Sequence, residues 1–95
     1  MARYIIERTY DVDMDGMAVV GKRSKQIAAE QFPEQIVWEH SHVVLDSDGN
    51  VKSFCVYEAP DEDTIRRHAG ILGNHVVDHI YEIGGDVTPA DFPAV

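Results

Sequence analysis

Two periods of apolar and polar residues run along this chain, and the switches between them mark six elements. Arg3 to Tyr10 is rich in aromatic and β-branched residues (Tyr4, Ile5, Ile6, Thr9, Tyr10) and reads as a first strand. From about Met14 to Phe32 the apolar positions Met17, Val20, Ile27, Ala28 and Phe32 follow broadly helical spacing. The acidic turn Asp11 to Asp15 precedes this helix. Asp13 or Asp15 can cap it, because a side-chain oxygen there accepts from the unpaired amides of the first turn. Pro33 ends it by pushing Phe32 towards extended geometry. Val37 to Leu45 and Val51 to Glu58 read as two strands joined by Asp46-Ser47-Asp48-Gly49-Asn50, residue types that tolerate the positive φ of tight turns. Pro60 to Asp63 opens a second helix with Asp61 as N-cap and the stripe Ile65, Ala69, Leu72. Gly73 and Asn74 stop it. A fourth strand lies within Val76 to Val87. The tail after residue 88, with Pro89 and Pro93, is irregular.

The order β-α-β-β-α-β predicts an α+β ferredoxin-like fold: a four-stranded antiparallel sheet with two helices on one face. Residues 1–88 form one such domain and residues 89–95 the tail.

Face assignments depend on the hairpin. A two- or four-residue loop centred on Ser47 and Asp48 sets His40 opposite Cys55, His42 opposite Ser53 and Trp38 opposite Tyr57. One face then carries Trp38, His40, His42, Val44, Val51, Ser53, Cys55 and Tyr57. The other carries Val37, Glu39, Ser41, Val43, Leu45, Lys52, Phe54 and Val56. The second set is largely aliphatic, which assigns it to the helix-covered core. The first set falls on the open face, where such an apolar surface calls for a second copy packed sheet to sheet. A three-residue loop would shift the register by one and turn every side chain over.

Composition narrows the functions. At 95 residues the chain buries roughly 65% of its unfolded surface, enough for a core without a staple. The net charge of −9 argues against nucleic acid and an anionic membrane surface, and suits cations. No apolar run reaches spanning length and no signal-peptide core follows Met1. The single cysteine excludes an internal disulfide and fits a reducing compartment, so a cytoplasmic protein is expected.

Within that frame His40, His42 and Cys55 are the most informative residues. Two imidazoles and a thiol on one face suit a borderline or soft transition metal, with Glu7 as a further carboxylate. The same residues also fit a thiolate–imidazolium nucleophile or polar packing within an interface. His68, beside the apolar stripe of the second helix, reads as a core-edge residue or an outer ligand. His75 and His79 read as surface residues or a peripheral metal pair. The run Asp11 to Gly16 mimics the start of a calcium loop but lacks the closing glutamate, so it reads as a turn and cap. No glycine-rich phosphate loop is present.

Several segments carry a resemblance. They are Ile6-Glu7-Arg8; Trp38 with Ser41; Phe54-Cys55-Val56-Tyr57-Glu58-Ala59-Pro60; Ile65-Arg66-Arg67-His68-Ala69; and Asp78-His79-Ile80 with Glu82. In these the chain is similar to a family of small ferredoxin-like proteins, first catalogued as a domain of unknown function and later as nickel-binding proteins. Cys55 and His68 occupy positions that look like family positions. The resemblance implies a homodimer with a barrel-like core and bound nickel.

The combined expectation is a cytoplasmic homodimer of dimeric α/β-barrel type that binds nickel, or another divalent metal such as zinc, for sequestration or sensing. Its ligands would be His40, His42 and Cys55, with His68 outermost and Trp38 and Tyr57 walling the site. Two alternatives stand beside it: a barrel enzyme of monooxygenase type acting on a small organic substrate, and an interaction module without ligand.

Overall fold

The computed structural model describes residues 1–94. Its strands are Ala2–Tyr10 (β1), Val37–Leu45 (β2), Val51–Ala59 (β3) and His75–Glu82 (β4), and its helices Met17–Gln31 (α1) and Glu62–Leu72 (α2). The sheet is antiparallel in the order β2-β3-β1-β4. This is the ferredoxin-like α+β arrangement that the periodicity anticipates.

The local signals act as expected. The segment before α1 is a separate 3-10 turn, Met14–Gly16, capped by Asp13, whose Oδ1 accepts from the Gly16 amide at 3.0 Å. The acidic run is therefore a turn and cap. Asp61 caps α2, accepting from the Thr64 amide at 2.8 Å and the Thr64 hydroxyl at 2.7 Å. Gly73 and Asn74, with φ of 68° and 61°, close α2 in the left-handed region. A short 3-10 turn, Pro89–Asp91, lies in the tail.

The core forms where the helices meet the sheet. Val20 and Ile27 of α1 and Ile65 and Leu72 of α2 cluster with Tyr4 and Ile6 of β1 and Cys55 and Tyr57 of β3. Val51, Ser53 and Ala59 are buried on the same side of β3, so its odd-numbered residues face the helices.

That reverses the expected assignment for β3: Lys52, Phe54 and Val56 lie on the open face. The cause is the hairpin. Asp46 and Asn50 are themselves bonded, the Asp46 amide to the Asn50 carbonyl at 3.0 Å, which leaves a three-residue loop, Ser47-Asp48-Gly49. Asp46 Oδ1 accepts from the amides of Asp48 and Asn50 at 2.9 Å each, and Gly49 takes φ 84° as such loops require. Leu45 then pairs with Val51, Val43 with Ser53 and Ser41 with Cys55. A bulge between Trp38 and His40 corrects the parity, so Trp38 still opposes Tyr57. Glu39, in the bulge, is held by Arg3, with Nε–Oε2 at 2.8 Å and Nη2–Oε1 at 3.2 Å. Composition misjudged the core because the helix-facing side of this sheet accepts a thiol, hydroxyls and a guanidinium.

Candidate metal centre

The register lays the open face out in rows. His42, Phe54, Glu7 and His79 pair in sequence across all four strands, and the adjacent row is His40, Val56, Ile5 and Tyr81. His40 and His42 do share a face, as their spacing requires. Their rings stand edge to face with centroids 5.5 Å apart on the exposed edge strand β2. Cys55 does not join them. Its side chain turns to the helices, 3% exposed, and its Sγ lies 3.3 Å from Ser53 Oγ. The centre expected from His40, His42 and Cys55 is therefore not assembled within one chain, because the three-residue loop sends the sulfur to the opposite face.

Glu7 is on the open face but two strands from His42, about 10 Å away at the usual strand spacing, with Phe54 between them. It has other partners. Its Oε2 lies 3.0 Å from Lys52 Nζ, and its Oε1 accepts from His79 Nδ1 at 3.0 Å. Lys52 also reaches Asp78 Oδ2 at 3.0 Å and Thr9 Oγ1 at 2.7 Å. Lys52, then His79, hold the Glu7 carboxyl below the ordinary carboxylate range. The hydrogen bond to Glu7, followed by that to Asp78, raises Lys52.

This pairing is the element that reading the sequence missed. A histidine that gives Nδ1–H to a carboxylate presents its Nε2 lone pair outward, the usual preparation of a metal-ligating imidazole. Glu7 and His79 fall at paired positions of adjacent strands, a register that only the folded sheet reveals. A bulge follows at Glu7/Arg8, so His75 opposes Tyr10 on the helix side and the two histidines do not form a peripheral pair. His75 Nδ1 donates instead to the Gly73 carbonyl at 2.6 Å.

His68 is fully buried. Its Nε2 lies 3.2 Å from the Ser24 carbonyl oxygen, and its ring meets Phe32 and Tyr57 edge-on at 5.9 and 5.8 Å. It is thus on the opposite side of the sheet from His40 and His42. Burial lowers its proton affinity, the Ser24 carbonyl partly opposing, and burial lowers His75 in the same way. Burial thus favours the neutral form of both. A group whose folded pKa lies below its unfolded value takes up its proton more readily in the unfolded chain. Stability therefore falls as pH drops below about 6.5. A thermal-midpoint series from pH 8 to 5 checks this, and His68→Gln flattens the slope. Below the carboxylate range Glu7 and Asp78 add to the loss, since their depressed values favour the fold only while they are ionised.

Trp38 and Tyr57 also share a face, with centroids 6.3 Å apart, but they wall a half-open cavity of about 250 Å³ on the helix side of the sheet rather than the histidine pair. Met17, Val20, Leu72 and Arg8 are among its other walls.

Among the described residues no group of three or more histidine, cysteine, aspartate or glutamate side chains is placed to hold one metal ion. One chain offers two imidazoles at the β2 edge and a third, carboxylate-oriented, at the β4 edge. These donors fit nickel, whose affinity for imidazole is high, but they supply only part of a coordination sphere. No helix is long and apolar enough to cross a membrane. A family model described as nickel responsive protein, SCO4226-like, matches residues 4–83. A comparison with curated proteins finds no match.

Proposed function

The chain belongs to the SCO4226-like family of nickel responsive proteins, and on that premise we propose that it binds nickel directly, in the cytoplasm, for sequestration or sensing. His40 and His42 are the primary ligands. The observation that carries this reading is their shared exposure on the open face, rings edge to face, in a chain of net charge −9. His79, oriented by Glu7, is the third nitrogen donor.

These donors lie at opposite edges of the face, and in this reading a homodimer completes the site. The open face carries Ile5, Val44, Phe54, Val76 and Tyr81 beside the polar network, an apolar surface suited to a second sheet. Two copies stacked so that β4 of one overlies β2 of the other bring His79 to the His40–His42 pair. Nickel then fills the gap left by the incomplete donor set of each chain and links metal binding to assembly.

A nickel titration followed by absorbance and by mass in solution tests the proposal. The expected result is saturable binding to a dimer without a thiolate charge-transfer band, because Cys55 lies behind the sheet, and Cys55→Ser retains the affinity. An intense charge-transfer band lost in Cys55→Ser, or no binding at all, would overturn it.

A further inference from the structure

Arg8 is a buried cation without an anion. It is 1% exposed, yet its Nε and Nη2 have no hydrogen-bond partner. Among the described residues no carboxylate comes within 4.0 Å of it. The Tyr57 ring lies 5.1 Å from the guanidinium carbon. That contact engages the face of the guanidinium and leaves Nε and Nη2 unused. Charges enclosed in protein are normally paired, and Nε with Nη2 forms the edge that grips a carboxylate through two parallel bonds.

Arg8 is also a wall of the cavity of about 250 Å³ that lies between α1 and the β2–β3 side of the sheet. Met17, Val20 and Leu72 supply apolar surface, the hydroxyls of Ser24, Ser41 and Ser53 add neutral hydrogen-bonding groups, and no second cationic side chain lines it. The edge strand leaves the Trp38 side partly open to solvent, with Trp38 38% exposed. One positive charge and an apolar body, in a space just below the roughly 300–1,000 Å³ of drug-sized sites, define a narrow class of occupant.

We propose that this cavity is a binding site for a small organic monocarboxylate, with the Arg8 guanidinium as its counter-charge and the apolar walls around its body. The site lies on the opposite side of the sheet from His40, His42 and His79 and does not rest on the nickel reading.

Trp38, the single tryptophan, lines the cavity and reports on it. The test titrates the full chain with benzoate and hexanoate, and with benzyl alcohol and hexanol as neutral counterparts, at fixed ionic strength, following Trp38 emission and thermal midpoint. The expected result is a saturable change and a raised midpoint with an acid, and at least tenfold weaker binding of the alcohols. Arg8→Met removes the preference for acids. Gly21→Leu, at a wall position where an added Cβ meets nothing within 4 Å, fills the space without touching the charge and weakens binding at least tenfold. If Arg8→Met does not fold, the acid-to-alcohol ratio and Gly21→Leu decide the matter. Equal binding of acids and alcohols, undiminished binding in Gly21→Leu, or no saturable response up to the order of 10 mM would overturn the proposal. Nickel binding by the same variants stays at the wild-type level, so failure here is separable from failure of the metal site.

Discussion

On the proposed reading, replacing both His40 and His42 by alanine is expected to remove nickel binding while leaving the fold intact. Loss of an outer-shell partner of a metal ligand costs roughly 10–100-fold in affinity, and loss of two direct ligands exceeds that range. Each single substitution falls between the double variant and the wild type, because the remaining imidazole still holds one position. Glu7→Gln weakens binding by about tenfold through His79, whose ring loses the carboxylate that orients it. Both β2 histidines lie in a strand with no buried residue, so their removal changes stability by less than about 0.5 kcal/mol. Calorimetric titration with nickel, alongside a far-ultraviolet dichroism spectrum, measures both quantities. Wild-type affinity in the double variant would place the metal elsewhere. Acid would compete for the same nitrogen lone pairs, so the proposed nickel binding is expected to weaken as pH falls.

The largest loss of stability comes from Ile6→Ala. Ile6 is fully buried in the inner strand β1, paired with Cys55 on one side and Ile80 on the other, and belongs to the core cluster under both helices. Truncating a buried isoleucine forfeits its transfer free energy and leaves a cavity that the surrounding sheet cannot close, a cost of about 3–4 kcal/mol. For a domain of this size, with a total stability on the order of 5–15 kcal/mol, the thermal midpoint falls by roughly 15–25 °C. Urea denaturation checks it through a lower midpoint at unchanged slope. A change below about 1 kcal/mol would mean that the site collapses around the smaller side chain.

The element order was legible because each element carries its own local code. The β-branched run of β1, the Ile65-Ala69-Leu72 stripe, the Asp61 cap and the Gly73-Asn74 stop act within a few residues of one another, and each falls where it was read. Family membership was legible for a related reason: the Phe54 to Pro60 segment and the His68 helix are contiguous strings within the matched span.

The site was legible only in part. The shared face of His40 and His42 follows from a two-residue period that no tertiary contact can alter. Cys55 was assigned to the wrong side because its placement depends on the parity of a loop. Asp46 decides that parity with bonds to the amides of Asp48 and Asn50, and the bulge held by Arg3 and Glu39 then hides the shift at the far end of the strand. The burial of Arg8 follows the same alternation as Tyr4 and Ile6. What conceals it is its charge, which any composition rule places in water.

The amino-acid string alone therefore determined the strands, the helices, their order and the pairing of two imidazoles on one face, since those depend on neighbours within a turn or a pleat. Only the folded sheet decided which side of β3 meets the helices, that Glu7 aims His79 outward, and that a guanidinium without a carboxylate partner lines a half-open cavity. Those outcomes rest on hydrogen bonds and contacts between residues far apart in the chain, where a one-residue difference in a loop inverts a whole face.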